Sequence, residues 1–202
     1  QGLFYFKKQG EEYKLSHTFN ARDISGGLKS NRVNSLLLDN EKRLWAGTYN
    51  GLYRYEARDS IFVSLNELLG DTEKPLCNIV LCTHLDEENN LWFGTPCGLN
   101  KVFSDDGGIS YHLKEFTRDD GLPDDYISSI QEDLEGNMWF STNAGISKLD
   151  KQSGEISNFE SGDGTGDYNF SESSGFSSKS GVLYFGAFSG YTYFKPDEII
   201  YN

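Results

Sequence analysis

Methionine occurs once in 202 residues, proline four times and cysteine three times. Three cysteines (Cys77, Cys82, Cys97) are an odd number and too few for a disulfide framework, so they do not fix the redox compartment. Long apolar runs are missing. None exceeds four residues, Ile79-Val80-Leu81-Cys82 being one, whereas a membrane helix needs about 20. No signal peptide is visible and the first residue is Gln1, which reads as a mature chain or a piece of a longer one. Cations are scarce, with 18 Lys+Arg against 31 Asp+Glu and a net charge of −13. Phosphate binding needs clustered cations, so nucleic acid is not an expected partner, and anionic lipid is disfavoured for the same reason.

Catalytic and metal motifs are missing too. The three histidines, His17, His84 and His112, form no H-x-x-x-H or H-E-x-x-H pair. There is no G-x-S-x-G elbow. Cys77 and Cys82 have the wrong spacing for a zinc knuckle, and no D-x-[DN]-x-[DN]-G loop exists for calcium. The glycine-rich run Gly162–Asp167 has no lysine and two acids, so it reads as a loop and not as a phosphate cradle. The acid pairs Asp119-Asp120 and Asp124-Asp125 read as solvated turns. No catalytic residue, metal or cofactor is therefore expected.

What the chain does have is glycine (22 residues) and aromatics (14%). That mixture suits short strands joined by tight turns. It also has a repeat. Trp45, Trp92 and Trp139 are each 47 residues apart (92 − 45 and 139 − 92). Their flanks align without gaps, from Asn31, Asn78 and Asp125 through Asp39, Asp86 and Asp133 to Gly51-Leu52, Gly98-Leu99 and Gly145-Ile146. A weaker copy, Leu183-Tyr184-Phe185-Gly186-Ala187, puts Tyr184 in the tryptophan column, and Gly2-Leu3-Phe4-Tyr5-Phe6 is the remnant of an earlier one. Each period reads as four strands; in the first they are Val33–Leu38, Leu44–Thr48, Leu52–Tyr55 and Ile61–Leu65. A period in the forties with four strands and one tryptophan predicts a β-propeller blade.

The expected fold is therefore an all-β propeller of about four repeats with four antiparallel strands per blade. A solenoid of β-units is the alternative. The whole chain, 1–202, reads as one propeller segment. It comprises a partial blade at 1–20, blades at 28–70, 75–117 and 121–160, and a last partial blade at 167–202. Since the end pieces complement each other, a closed four-bladed ring is weighed against a fragment of a larger ring, which is favoured. The tryptophan column is expected to pack between blades. The aspartate column is expected to make Asx-turns. The small column Ser35, Cys82, Ser129 is expected where inner strands crowd, with Cys82 a buried residue and not a reactive thiol.

The pattern formed by Gly121-Leu122, Ile127, Asp133, Gly136-Asn137-Met138-Trp139, Thr142 and Gly145-Ile146 resembles the two-component regulator propeller repeat. Gly27-Leu28, Asn31, Val33 and Gly47-Thr48 show it again. The segment Asp167-Tyr168-Asn169-Phe170 through Gly190-Tyr191-Thr192-Tyr193-Phe194-Lys195-Pro196 resembles the final repeat before an Ig-like domain in such proteins. Cys97 in the second copy and Ser141 in the third depart from the pattern and read as ordinary drift.

The resemblance implies a ring that typically has seven blades, and the periplasmic sensor region of a Bacteroides-type hybrid two-component system. Its implied ligands are oligosaccharides released from glycans, and its implied partners are the remaining blades, the Ig-like domain, or a second copy. The segment itself is expected to be non-catalytic. The alternative function is a propeller scaffold for protein interaction or dimerisation; a propeller glycosidase or lyase is the weakest reading. Sugar recognition would fall on the loops entering each inner strand and those between second and third strands. Arg32, Tyr49, Asn50, Tyr126, Asn143 and Tyr168 hold those positions. Tyrosine rings there would stack on sugar faces, and asparagine and arginine would bond hydroxyls.

Overall fold

The computed structural model describes residues 2–22, 27–70, 73–160 and 169–199. Within them the apolar residues of each period fall on short strands, and the strands pair in chain order into antiparallel sheets. A hairpin of β1 (Leu3–Gln9) and β2 (Glu12–Phe19) comes first. The next sheet holds β3 (Val33–Leu38), β4 (Leu44–Thr48), β5 (Gly51–Glu56) and β6 (Ile61–Ser64). The second full blade holds β7 (Cys82–Leu85), β8 (Leu91–Thr95), β9 (Gly98–Phe103) and β10 (His112–Phe116). The third holds β11 (Ile127–Glu132), β12 (Met138–Thr142), β13 (Gly145–Leu149) and β14 (Ile156–Phe159). The last has three strands, β15 (Phe170–Ser177), β16 (Leu183–Ala187) and β17 (Gly190–Phe194).

The inner strands β3, β7, β11 and β15 lie side by side in that order, and the other strands fan outward. This is the expected all-β propeller arrangement. The hairpin packs on the first blade, where Phe19 meets Tyr55 at 5.5 Å and Phe62 at 5.0 Å between ring centroids. It stays a separate sheet and adds no strand to the last blade. The strand exchange that would close a four-bladed ring is thus not formed. One strand is shorter than its apolar pattern predicts. Ser64 Oγ accepts the Glu67 amide at 3.3 Å, and this N-cap turns Leu65–Leu69 into a short helix, α1, instead of a strand end.

Each column residue has a packing role. Trp45 is buried with Leu91, Phe93 and Val102 of the next blade, Trp92 with Ile130, Met138 and Phe140, and Trp139 with Phe170, Leu183 and Phe185. The indole N–H groups donate to Asp39 at 3.0 Å, Asp86 at 2.9 Å and Asp133 at 2.7 Å. The same carboxylates accept the backbone amides of Arg43, Asn90 and Asn137, four residues on. The aspartate column therefore closes its own turn through the amide four residues on, not through the expected Asx-turn, which Asp133 alone among the three adds by accepting the Glu135 amide at 3.0 Å; each carboxylate also holds the tryptophan of its own blade. The small column is explained by close approach. A Cβ built on Gly94 would lie 2.7 Å from Cys82 Sγ and 2.6 Å from the Ile127 carbonyl, and one on Gly175 would collide with Ser129 Oγ. Burial pushes the Cys82 thiol up to about 12, so it stays protonated.

On the loop face that carries the aspartates, an ionic bridge joins the second and third blades. Lys151 Nζ lies 2.8 Å from Glu132 and 3.3 Å from the buried Asp86. Glu132 also accepts the Glu87 amide at 3.0 Å and faces His84 Nε2 at 3.8 Å. Burial pushes both carboxyls upward. That push is outweighed at Asp86 by bonds from Trp92 and Asn90 and the Lys151 charge, and at Glu132 by the nearby His84 and the bond and charge of Lys151, so both are held below their ordinary values. Carboxylates held low stabilise the fold above about pH 4 and lose that contribution as pH falls through their folded values. Lys151 is held above its ordinary value, so its contribution is lost only in strong alkali. Lys151→Met is expected to cost about 1.5–3 kcal/mol near neutral pH, with the gap to wild type closing in acid. Urea unfolding across the acid range checks this; a gap that does not change with pH would mean that Lys151 acts through packing alone.

Candidate functional site

Every inner strand except β7 pairs with its neighbour through a register shift, and the shift in the last blade is the largest. Val33 pairs with Thr48 and Ser35 with Gly47, so one residue is extra. Ile127 and Ser129 repeat that geometry against Thr142 and Ser141. In β15, Phe170 pairs with Ala187 and Gly175 with Phe185: five residues advance against two, so three are extra. The bulge is held by Ser173, whose φ is 54° and whose hydroxyl donates to the Leu81 carbonyl at 2.8 Å. Ser174 Oγ donates to the Glu172 carbonyl at 3.2 Å. A bulge of this size re-aims its side chains, and here it turns Glu172 toward the first and third blades.

Glu172 is where three of the expected residues meet. Tyr126, entering β11, donates to Oε1 at 2.9 Å. Tyr49, in the β4–β5 turn, reaches both carboxylate oxygens at 3.4 Å. Arg32, entering β3, lies 3.9 Å from Oε2 and stacks over the Tyr49 ring at 3.6 Å from its centroid. The Arg32 side chain is 63% exposed and that of Glu172 31%. Burial, and then the bond to Glu172, push the Tyr126 phenol up to about 12. Burial and the Glu172 charge raise Tyr49 as well. Both phenols are therefore neutral donors at physiological pH. Among the described residues Oε2 is met only at 3.4 and 3.9 Å, longer than a good hydrogen bond, which leaves it an acceptor for an incoming hydroxyl.

One detail departs from expectation. The face of Tyr49 toward Arg32 is already covered by the guanidinium, so what Tyr49 offers beside Arg32 is its hydroxyl, not a platform for sugar stacking. The other expected residues lie elsewhere. Asn50 follows Tyr49 but lines a separate cleft of about 470 Å³ between the first two blades, with Tyr53, Asn66 and Asn78. Asn143 is exposed in the β12–β13 turn. Tyr168 lies outside the described residues. Glu172 was not among the expected residues, because the motif columns have no counterpart for it. The available signal was spacing. Phe170 and its partner Ala187 are 17 apart (187 − 170), against 15 for Val33 and Thr48 (48 − 33) and for Ile127 and Thr142 (142 − 127).

Cys97 is corrected as well. It is not ordinary drift, because it forms a disulfide with Cys77, at a Cα–Cα distance of 5.7 Å and a sequence separation of 20. Cys82 remains free and buried. The bond ties the segment before β7 to the β8–β9 turn.

The fold has known likenesses. An extracellular domain from B. thetaiotaomicron, described as that of a hybrid two component system, is 24% identical, with a TM-score of 0.78 over 97% of this chain and 28% of that one. A second such domain from the same organism is also 24% identical, with a TM-score of 0.78 over 98% and 27%. A virginiamycin B lyase from Staphylococcus aureus is 17% identical, with a TM-score of 0.59 over 92% and 61%. These likenesses carry the fold alone, and this chain spans little more than a quarter of the length of the first two structures. No curated protein matches. No helix among the described residues is long and apolar enough to cross a membrane. The family described as "Two component regulator propeller" matches at residues 27–50 and 121–144, the first and third tryptophan-bearing copies.

Proposed function

We propose that this chain is a non-catalytic part of the periplasmic sensor of a hybrid two-component system, and that it binds a glycan-derived oligosaccharide where Arg32, Tyr49, Tyr126 and Glu172 meet. The observation that carries the binding site is the convergence of two neutral phenols and one guanidinium on a single carboxylate. Such a cluster mixes donors and an acceptor over a short distance, which is what a vicinal pair of sugar hydroxyls requires. The repeat match and the fold likeness support the sensor role. The Cys77–Cys97 bond supports an oxidising compartment, since disulfides persist there.

Thermal unfolding with a panel of plant and host oligosaccharides tests this reading, because only a ligand of the native state raises the midpoint. One glycan class is expected to raise it. Tyr126→Phe and Glu172→Gln are each expected to weaken that ligand about tenfold, the equivalent of one charge-assisted hydrogen bond. An undiminished response in both variants would remove the site from this cluster.

A second reading, a scaffold that docks other protein, is favoured by one observation. Phe176, Tyr184, Tyr191 and Tyr193 form a continuous aromatic face on the last blade, with centroids 5.9–6.3 Å apart. Tyr191 and Tyr193 are 68% and 64% exposed. Sedimentation of Tyr193→Lys beside wild type separates the readings: an assembly lost with the glycan response intact supports docking at this face.

A further inference from the structure

The cleft between the first and second blades lies apart from the Glu172 cluster and calls for its own account. Its volume of about 470 Å³ falls within the range of small-molecule sites. It is closed at the bottom by Leu52, Leu65, Val80 and Phe93, each only 1–2% exposed, so a ligand meets its polar rim. One wall starts at α1, which is capped by Ser64. The opposite wall, Lys74 to Asn78, is held by the Cys77–Cys97 bond. The rim is polar, with the amides of Asn50, Asn66 and Asn78.

The charge on this rim runs against that of the chain. Among the described residues, two lysines, Lys29 and Lys74, line it with one carboxylate, Glu67, in a protein of net charge −13. Both lysines are exposed, and neither forms an ion pair with a carboxylate among the described residues. A rim of amides suits the hydroxyls of a sugar. Two ammonium groups beside it add recognition of an anion.

We propose that this cleft is a second ligand site, and that it takes a monosaccharide-sized sugar acid, its carboxylate toward Lys29 and Lys74 and its hydroxyls toward Asn50, Asn66 and Asn78. The site does not depend on binding at Glu172. It reverses locally the repulsion that the net charge imposes on acidic ligands.

The test is a titration of the ¹⁵N-labelled chain with galacturonate and, separately, with galactose. Galacturonate is expected to shift the amides of Gly51, Asn66 and Asn78, and galactose to bind at least about tenfold more weakly, the equivalent of one charge-assisted bond. The double charge reversal Lys29→Glu/Lys74→Glu changes only exposed side chains, so it is expected to fold. It is expected to weaken galacturonate by more than about tenfold. Glu172→Gln is expected to leave galacturonate binding unchanged, which separates this site from the one proposed above. The proposal is overturned if the cleft amides do not move, if galactose and galacturonate bind alike, if the charge reversal has no effect, or if the shifts appear at Tyr126 and Glu172 instead.

Discussion

Trp92→Ala is expected to destabilise the fold by about 3–5 kcal/mol, the range for deleting a large aromatic from a packed core. Trp92 is 2% exposed and belongs to the cluster that joins the second blade to Ile127, Ile130, Met138 and Phe140 of the third. Its ring also stacks on Phe116 at 5.9 Å. The alanine would leave a cavity between two sheets whose backbones are held in register by their own ladders, so little collapse is available. It would also deprive the buried Asp86 of its indole donor. Trp92→Phe isolates that second loss and is expected to cost less, about 1–3 kcal/mol. Urea denaturation of the three proteins measures both. A loss under about 1 kcal/mol for the alanine variant would mean that the blades are held together mainly by their inner strands.

Loss of the Cys77–Cys97 bond is expected to cost about 3 kcal/mol, from the entropy regained by a loop of this length. The variant to make is Cys77→Ser/Cys97→Ser, which leaves no unpaired thiol at either position. Reduced wild type should unfold at the same urea midpoint as the variant, because both lack only the cross-link. A variant within about 0.5 kcal/mol of the oxidised protein would show that strands β7 and β8 already restrain the loop.

How much of this was legible in the sequence depends on whether a feature recurs. The tryptophan, aspartate and glycine columns stood out because blade packing repeats the same demand every 47 residues. Glycine is required at Gly98 and Gly145, where φ is 135° and 131° and a Cβ would strike the carbonyls of Phe116 and Phe159. A demand that recurs leaves a readable column. Arg32, Tyr49 and Tyr126 could be placed together because the fold class says which loops share a face. Glu172 was missed because it arises from a local insertion in one blade. The disulfide was missed because an odd cysteine count hid a pair whose partners are 20 residues apart in sequence and 5.7 Å apart in space. The α1 turn was missed because Ile61–Leu65 satisfies strand propensity, and only the Ser64 cap decides against it.

The placement of the tryptophans has a consequence for spectroscopy. Three blades each carry one indole, 1–2% exposed and bonded to an aspartate in the same way, while the last blade has Tyr184 in that column. Intrinsic emission excited at the indole band therefore reports three similar chromophores, and the third, Trp139, packs on Phe170, Leu183 and Phe185 of the last blade. If the last blade frays first, Trp139 alone loses its packing, and the fluorescence melt shows an early step together with the loss of strand signal in circular dichroism. A fluorescence melt in two steps would then mark sequential opening of the array.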